Sequence, residues 1–206
     1  MRHKTEQEEF WAGDFGTHYA HRNRGDQIIA SNNALFSTIL SKTSGVKTAI
    51  EFGPNIGLNL VALKALRPDI QLKAVEINKD AIEKMKILIE GVDVINSSVL
   101  DYVVDDVYDF VLSRGLLIHI DPDKLKEVYE KMYASCKKYI CIIEYYNPYP
   151  IVVNYHGHEN KLFKRDFAGE MMELYHDLEL IDYGFVYHKD ANFPQDDINW
   201  FLLEKK

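Results

Sequence analysis

The chain has only two cysteines, Cys136 and Cys141, among its 206 residues. Cys141 falls in an apolar run that predicts a buried strand, so we expect no disulfide and a reducing compartment, the cytoplasm. Residues 1–9 lack the apolar stretch of a secretory signal peptide, which we therefore do not expect. No apolar run approaches the ~20 residues that a membrane-spanning helix needs. These absences argue against disulfide-stapled and membrane-spanning classes.

Positive charge is also scarce. Lysine and arginine number 24 against 32 acidic residues, which gives a net charge of −8. Proteins that bind nucleic acid usually carry a basic face, and only short basic stretches occur, such as residues 161–165. We expect no nucleic-acid partner and no membrane partner. The composition, 47% hydrophobic and 27% charged, is typical of a globular chain with a full core.

After residue 48, short apolar runs alternate with amphipathic helical stretches, which predicts βαβ units and a mostly parallel sheet. Strands are predicted at residues 47–52, 71–77, 92–97, 108–113, 139–145, 180–187 and 199–204. The last two suit an antiparallel pair. We expect one domain over residues 1–206, with a helical N-terminal cap at 1–45, an α/β core at 46–206 and a lid insertion at 147–165.

The first predicted strand runs into a turn, Glu-Phe-Gly-Pro-Asn-Ile-Gly at residues 51–57. Such turns expose backbone N–H groups at the crevice where open α/β sheets bind ligands. A dinucleotide fingerprint would need glycine at Gly53, Asn55 and Leu58, and only the first matches. Glu51 would also place negative charge near a pyrophosphate, whereas it suits the ammonium group of a sulfonium cofactor. The charge argument favours S-adenosylmethionine over NAD.

Two later strand ends add to this constellation. Glu76 lies 23 residues after Gly53, at the spacing of an acidic residue that accepts both ribose hydroxyls. NAD-binding proteins share this device, so Glu76 indicates a nucleoside without choosing the cofactor. Ser98 and Val99 follow the third strand, where adenine is expected, although Ser98 also suits an ordinary turn. Arg114 and Gly115 follow the fourth strand and should lie beside the methionine portion.

Together these residues resemble the class I S-adenosylmethionine-dependent methyltransferases over residues 48–144. Residues 51–57, 76, 108–110 and 117–119 carry this resemblance. Residues 5–16, 112–115, 144–148, 162–167 and 199–204 are similar to the pseudaminic acid biosynthesis-associated methylases, and this finer resemblance spans nearly the whole chain. It implies a Rossmann-like, seven-stranded, mostly parallel sheet in the order 3-2-1-4-5-7-6, with helices on both faces.

The resemblance also implies individual roles. The predicted cofactor-binding residues are Glu51, Gly53, Pro54, Asn55, Gly57, Glu76, Ile77, Ser98, Val99, Arg114 and Gly115, with Trp11, Tyr19 and Arg22 folding over the cofactor from the N-terminal cap. Simple packing on the sheet is the alternative for the aromatic members of that cap. Asn55 departs from the glycine that is common at its position, but asparagine tolerates a left-handed φ.

Candidate residues for the acceptor follow the fourth and fifth strands. His119 suits a general base, because its ordinary pKa is about 6.5. Glu144 and Tyr146 are the other predicted catalytic residues, and Tyr145 and Asn147 are predicted to bind the acceptor. Each of these positions also suits plain packing.

The lid adds His156, His158, Lys161 and Arg165 as predicted acceptor contacts, since its basic groups suit an acidic sugar or nucleotide sugar. A solvated loop is the alternative. No further Cys or His completes a metal site with these histidines, so no metal is expected.

The sequence therefore predicts a methyltransferase that acts on oxygen or nitrogen of a small polar acceptor. The resemblance implies a nonulosonic sugar of the pseudaminic or legionaminic type, or its precursor. Two other functions stay open: an NAD(P)-dependent oxidoreductase and a non-catalytic protein that binds S-adenosylmethionine. Monomer and homodimer stay open as well.

Overall fold

The computed structural model describes residues 4–22, 25–155 and 157–206, apart from the side chains of His21, Arg22, Asp26 and Glu159. Three helices precede the first strand: α1 (Glu6–Ala12), α2 (Asp14–Arg22) and α3 (Asp26–Leu40). Four more helices follow: α4 (Leu58–Leu66), α5 (Lys79–Leu88), α6 (Leu125–Ala134) and α7 (Phe167–Leu174). None of the helices in these ranges is long and apolar enough to cross a bilayer.

The strands are β1 (Thr48–Phe52), β2 (Gln71–Glu76), β3 (Asp93–Asn96), β4 (Tyr108–Arg114), β5 (Cys136–Glu144), β6 (Ile151–Tyr155), β7 (His158–Lys164), β8 (Leu178–Val186) and β9 (Ile198–Lys205). Seven of them form the central sheet in the order β3-β2-β1-β4-β5-β9-β8. Strands β1 to β5 pair in parallel, and β9 is antiparallel to both neighbours. The predicted Rossmann-like sheet and its order are confirmed.

Both faces of the sheet are covered, because alternate residues of a strand point to opposite sides. In β1, Ile50 packs in a cluster with side chains of α6 and α7, whereas Ala49 packs in a second cluster with side chains of α3, α4 and α5. Strands buried on both sides need near-continuous apolar residues, and all of β1 after Thr48 is buried.

The segment predicted as a polar lid contains regular structure. Strands β6 and β7 form a separate antiparallel hairpin in which Val153 pairs with Leu162. Leu162 and Phe163 are buried, which gives the hairpin an apolar anchor against the body of the protein. The polar residues at the start of β7, residues 158–161, concealed this alternation in the sequence.

Candidate functional site

A cavity of about 380 Å³ opens at the carboxyl ends of β1, β2 and β4. This edge of an open α/β sheet is where ligands bind in such folds, and the volume lies in the range of small-molecule sites, ~300–1,000 Å³. Its walls include Trp11, Tyr19, Asn32, Gly53, Pro54, Asn55, Asn59, Glu76, Ile77, Asn78, Ser98, Val99, Arg114, Gly115, His119, Asp121, Tyr145, Tyr155, Gln195 and Asp196.

The loop after β1 turns sharply enough to need left-handed backbone at three positions. Gly53, Asn55 and Gly57 have φ values of 68°, 53° and 82°. A Cβ added at Gly53 would lie 2.8 Å from Leu116 Cδ1, and one at Gly57 would lie 2.7 Å from Met85 Cγ. The two glycines therefore permit close packing on both sides of the loop. Asn55 can adopt its left-handed φ because asparagine tolerates this conformation better than most residues. Gly57 lies outside the cavity wall.

Glu76, at the end of β2, joins two loops at the cavity. Its Oε2 accepts a hydrogen bond from the Asn55 amide at 2.8 Å, and its Oε1 accepts one from the Asn78 amide at 2.8 Å. Burial raises the pKa of Glu76, and the backbone hydrogen bonds oppose that rise. A carboxylate has about four acceptor positions, so Glu76 keeps capacity for two further hydrogen bonds on the cavity side.

Glu51, by contrast, lies beneath the cavity rather than in its wall. The side chain has no solvent exposure, and its Oε1 accepts a hydrogen bond from Asn59 Nδ2 at 2.6 Å. Its Oε2 has no hydrogen-bond partner among the described residues, and burial raises its pKa to about 8. The predicted direct contact between Glu51 and the cofactor ammonium does not fit this position. Asn59 is the group that reaches the cavity.

Arg114, at the end of β4, is held by three amide oxygens. Its Nη1 donates to Asn32 at 2.6 Å and to Asn59 at 2.8 Å, and its Nη2 donates to Gln195 at 2.6 Å. Burial lowers the pKa of Arg114, and nearby Glu51 opposes that change. The guanidinium carries five N–H donors, so two remain beyond these contacts. Gly115 follows with a φ of 63° and leaves the adjacent wall without a side chain.

The loop after β3 is tied to the N-terminal cap. Ser98 is buried, and its hydroxyl donates to the Glu8 carboxylate. Glu8 also accepts a hydrogen bond from the Thr5 amide at 2.9 Å, which completes the capping box of α1. The Ser98 hydroxyl thus anchors α1, while Ser98 still lines the cavity, and its contact with adenine stays a prediction. Val99 and Ile77 remain as apolar walls, as predicted for the adenine.

Helices α1 and α2 place aromatic rings over the cavity. The Trp11 ring lies 5.3 Å from that of Tyr19 and 4.6 Å from that of His119, measured between centroids. The indole Nε1 of Trp11 is buried without a hydrogen-bond partner in the described part of the chain. The cap therefore reaches the site, and the roles of Trp11 and Tyr19 stay predictions. The Arg22 side chain lies outside the described residues.

His119 has a defined proton arrangement. Its Nδ1 lies 2.6 Å from the backbone oxygen of Lys161 on β7. A carbonyl oxygen only accepts hydrogen bonds, so Nδ1 carries the proton and Nε2 keeps its lone pair. Burial lowers the pKa of His119 to about 4, which keeps the ring neutral near pH 7. The Tyr155 ring lies 4.9 Å away. The geometry suits the predicted general base.

Glu144, at the end of β5, faces away from the cavity and is 1% exposed. Its Oε1 accepts hydrogen bonds from the Ser113 hydroxyl at 2.8 Å and from the Leu116 and Leu117 amides at 3.0 Å. Its Oε2 lies 3.4 Å from the Ile118 amide. Burial raises its pKa to about 7. The loop that carries His119 folds over the carboxylate, so the structure places Glu144 outside the cavity wall, and its predicted contact with an acceptor stays a prediction.

Of Tyr145, Tyr146 and Asn147, only Tyr145 lines the cavity, and burial raises its pKa to about 12. Tyr146 points outward: it is 39% exposed and its ring lies 5.8 Å from Phe201. Asn147 is half-buried and donates to the Tyr149 oxygen at 2.6 Å. The structure places neither Tyr146 nor Asn147 in the cavity wall, so the catalytic role of Tyr146 and the acceptor contact of Asn147 stay predictions.

The predicted lid contacts are also engaged elsewhere. Lys161 Nζ lies 3.3 Å from Glu6, and Arg165 Nε donates to Glu170 at 2.6 Å. The exposed ring of His158 lies 5.0 Å from that of Phe10, and none of these three lid side chains lines the cavity. The structure therefore does not bring these three side chains to the cavity, and their contact with an acceptor stays a prediction. His156 lies outside the described residues.

The structure adds wall residues that carry no sequence motif. Asn32 and Asn59 come from helices, Tyr155 comes from β6, and Gln195 and Asp196 come from the connection between β8 and β9. The polar character of that connection was the only available signal for the last two. Their positions follow from the tertiary fold, which brings four separate segments to one edge of the sheet.

No protein-family model matches the chain, and no curated protein sequence matches it. Solved structures share its fold. The 1,6-didemethyltoxoflavin-N1-methyltransferase of Burkholderia thailandensis, with its acceptor and S-adenosylhomocysteine bound, has a TM-score of 0.70 at 12% identity, over 97% of this chain and 87% of that one. The magnesium protoporphyrin IX methyltransferase of Synechocystis, with S-adenosylmethionine bound, has a TM-score of 0.69 at 8% identity, over 100% of both.

A third similar structure is the O-methyltransferase from a trans-AT polyketide synthase multienzyme of Brevibacillus brevis, in complex with S-adenosylhomocysteine. Its TM-score is 0.64 at 18% identity, over 83% of this chain and 71% of that one. At these identities the likeness defines the fold, which is that of the class I S-adenosylmethionine-dependent methyltransferases.

Proposed function

We propose that the chain is an S-adenosylmethionine-dependent methyltransferase that transfers a methyl group to oxygen or nitrogen of a small polar acceptor. The observation that carries this proposal is the strand-end cavity, which joins the Glu76 carboxylate, the Arg114 guanidinium and a neutral His119 in one wall. The similar structures with bound S-adenosylmethionine or S-adenosylhomocysteine support it.

The residues of the cavity fit this cofactor. Glu76 has two spare acceptor positions for the ribose hydroxyls, and Arg114 has two spare donors for the carboxylate of the methionine portion. Ile77 and Val99 supply flat apolar contact for adenine. A dinucleotide would instead place a pyrophosphate near the loop after β1, close to the buried carboxyl group of Glu51.

When bound, S-adenosylmethionine supplies an electrophilic methyl group on a sulfonium. The chain must align the acceptor with that methyl group, and such positioning lowers a barrier by ~7–11 kcal/mol. Nε2 of His119 accepts the proton of an acceptor O–H or N–H, a contribution of about 10²–10⁴-fold. Trp11 and Tyr155 flank the His119 ring and exclude water from it. Glu144 positions His119 through the loop amides it holds.

The finer proposal for the acceptor, a nonulosonic sugar or its precursor, rests on the sequence resemblance to the pseudaminic acid biosynthesis-associated methylases. The cytoplasm is the proposed location, because Cys136 and Cys141 are both free and buried.

Calorimetric titration with S-adenosylhomocysteine tests the proposal. We expect saturable 1:1 binding in the micromolar range. No binding at millimolar ligand would remove the proposal, and binding of NADH in its place would favour an oxidoreductase. Binding of S-adenosylhomocysteine without methyl transfer to any acceptor would favour the non-catalytic alternative.

A further inference from the structure

The cavity wall carries an excess of negative charge. Its described charged residues are four carboxylates, Glu8, Glu76, Asp121 and Asp196, and one guanidinium, Arg114. His119 is neutral near pH 7. S-adenosylmethionine has a net charge of +1, so its binding compensates only part of that excess. An acceptor with a carboxylate or phosphate would enter a negative site in which the described residues offer no free cation to receive it.

The described basic groups close to the cavity do not supply that cation. Lys161 is directed to Glu6, and Arg165 is directed to Glu170. Lys164 Nζ lies over the Tyr145 ring, 4.8 Å from its centroid, on a side chain outside the cavity wall. Arg114 is the only basic side chain in the described wall, and amide oxygens take three of its donors.

The wall around the candidate base is aromatic. The rings of Trp11 and Tyr155 lie 4.6 Å and 4.9 Å from that of His119, and 6.5 Å from each other. Tyr19 extends this surface, 5.3 Å from Trp11. Aromatic faces bind flat rings by stacking and attract cations through their negative π surfaces. They offer no such attraction to an anion.

Asp196 places a carboxylate at this end of the cavity. It lies near Tyr145 and Arg114, since its charge acts to raise the pKa of both. Asp196 is an exposed residue on the connection between β8 and β9, at the rim rather than in the floor. A carboxylate at a rim attracts an approaching cation and repels an anion.

From this charge and ring pattern, and resting on the proposed function, we propose that the methyl acceptor is a flat-ringed compound without an anionic group, either neutral or cationic. A free nonulosonic acid or a nucleotide sugar is thereby disfavoured, while an uncharged sugar precursor meets the charge condition but lacks the flat ring. In the transfer, the acceptor O–H or N–H loses its proton to His119, and its oxygen or nitrogen forms the bond to the methyl carbon as the carbon–sulfur bond breaks.

Three probes that share one ring test the proposal: benzylamine, benzyl alcohol and benzoate. Their binding to protein saturated with S-adenosylhomocysteine is measured by quenching of Trp11 fluorescence. The chain has two tryptophans, so a Trp200→Phe variant isolates the signal, and calorimetry on the unaltered chain repeats the measurement if that variant does not fold. We expect benzylamine and benzyl alcohol to bind at least about tenfold more tightly than benzoate, which corresponds to ~1.4 kcal/mol.

Equal or tighter binding of benzoate overturns the proposal, and so does a failure of all three probes to bind. A failure of S-adenosylhomocysteine to bind would instead remove the proposed function, so the two failures are distinguishable. Asp196→Asn should reduce the preference for benzylamine over benzoate by about threefold, which is ~0.7 kcal/mol. Asp182→Asn is the matched control. Asp182 lies on β8 and pairs with Lys42 away from the cavity wall, so this variant should leave the preference unchanged.

Discussion

The ends of β2 and β5 carry the same residue type in different roles. Glu76 and Glu144 are both buried glutamates that accept hydrogen bonds from backbone amides. Glu76 binds one amide with each oxygen and keeps a face on the cavity, whereas three donors converge on Oε1 of Glu144 and the loop seals it. A strand-end carboxylate can therefore serve a ligand only where the following loop leaves its lone pairs open.

The largest expected effect is on the rate of methyl transfer, and it tests whether His119 acts as the general base. His119→Asn removes the Nε2 lone pair and keeps a short polar side chain near the Lys161 oxygen. We expect a loss of about 10²-fold or more in kcat, with unchanged affinity for S-adenosylhomocysteine. The activity of the unaltered enzyme should stay constant from pH 6 to pH 8, because the pKa of His119 is lowered to about 4.

Initial rates of methyl transfer measure this effect. His158→Asn is the matched control, since His158 is exposed and outside the cavity wall. An activity of the His119 variant within threefold of the unaltered chain would show that no base acts there.

The second effect concerns the open carboxylate. Glu76→Gln removes the charge that accepts hydrogen bonds from Asn55 and Asn78 and, in our proposal, from the ribose. Hydrogen bonds to charged groups contribute about 1.5–3 kcal/mol, so the Kd of S-adenosylhomocysteine should rise about 10- to 100-fold by calorimetry. Glu144→Gln provides the control at the sealed end, where the Kd should change less than twofold. Equal losses in the two variants would abolish the distinction between the two strand ends.

The third effect concerns stability at the sealed end. Glu144→Gln places an amide where the carboxylate accepted amide hydrogen bonds, so one buried N–H loses its partner. We expect a loss of about 1–3 kcal/mol in the free energy of unfolding, measured by urea denaturation. A fall in kcat with an unchanged KM should accompany it, because the same amides position His119. A variant as stable and active as the unaltered chain would contradict this positioning role.

The smallest expected effect is a change in the free energy of unfolding with pH. Burial raises the pKa of Glu144 to about 7 and that of Glu51 to about 8. Their folded values exceed the unfolded ones, so the stability they contribute is present at low pH and is lost as the pH rises through 7 and 8. The pKa of His119 is lowered to about 4, so its protonation changes the free energy of unfolding only below about pH 6.5.

The free energy of unfolding should therefore fall between pH 6.5 and pH 8, by about 1 kcal/mol per pH unit. The double variant Glu51→Gln/Glu144→Gln should flatten the slope in urea titrations at each pH. If the slope persists in this variant, other titratable groups cause the pH dependence.

The sequence was sufficient for the sheet, because each strand is an apolar run bounded by turn residues and each helix keeps one apolar face. The loop after β1 was also readable, since Gly53, Asn55 and Gly57 are residue types that adopt a left-handed φ. Glu76 was found from its spacing. In these places a local rule decides the structure.

The contacts that were missed depend on distant segments. Asn32, Asn59 and Gln195 have no common motif and meet only around Arg114. Glu144 looked like a ligand group because nothing in its own strand reveals that the loop after β4 folds back over it. The hairpin was missed because the polar residues at the start of β7 concealed the alternation of β6 and β7.

The contact between Lys161 and His119 has a consequence for how this site tolerates change. The atom that fixes the proton on His119 is a main-chain oxygen, which every amino acid carries. The residue type at position 161 can therefore vary widely while the tautomer of the base persists. Insertions or deletions in the hairpin would displace that oxygen. The length of the hairpin, rather than the side chain at position 161, therefore determines whether the contact with His119 forms. Chimeras that exchange hairpins between enzymes of this fold should therefore match the register of β7 before its sequence.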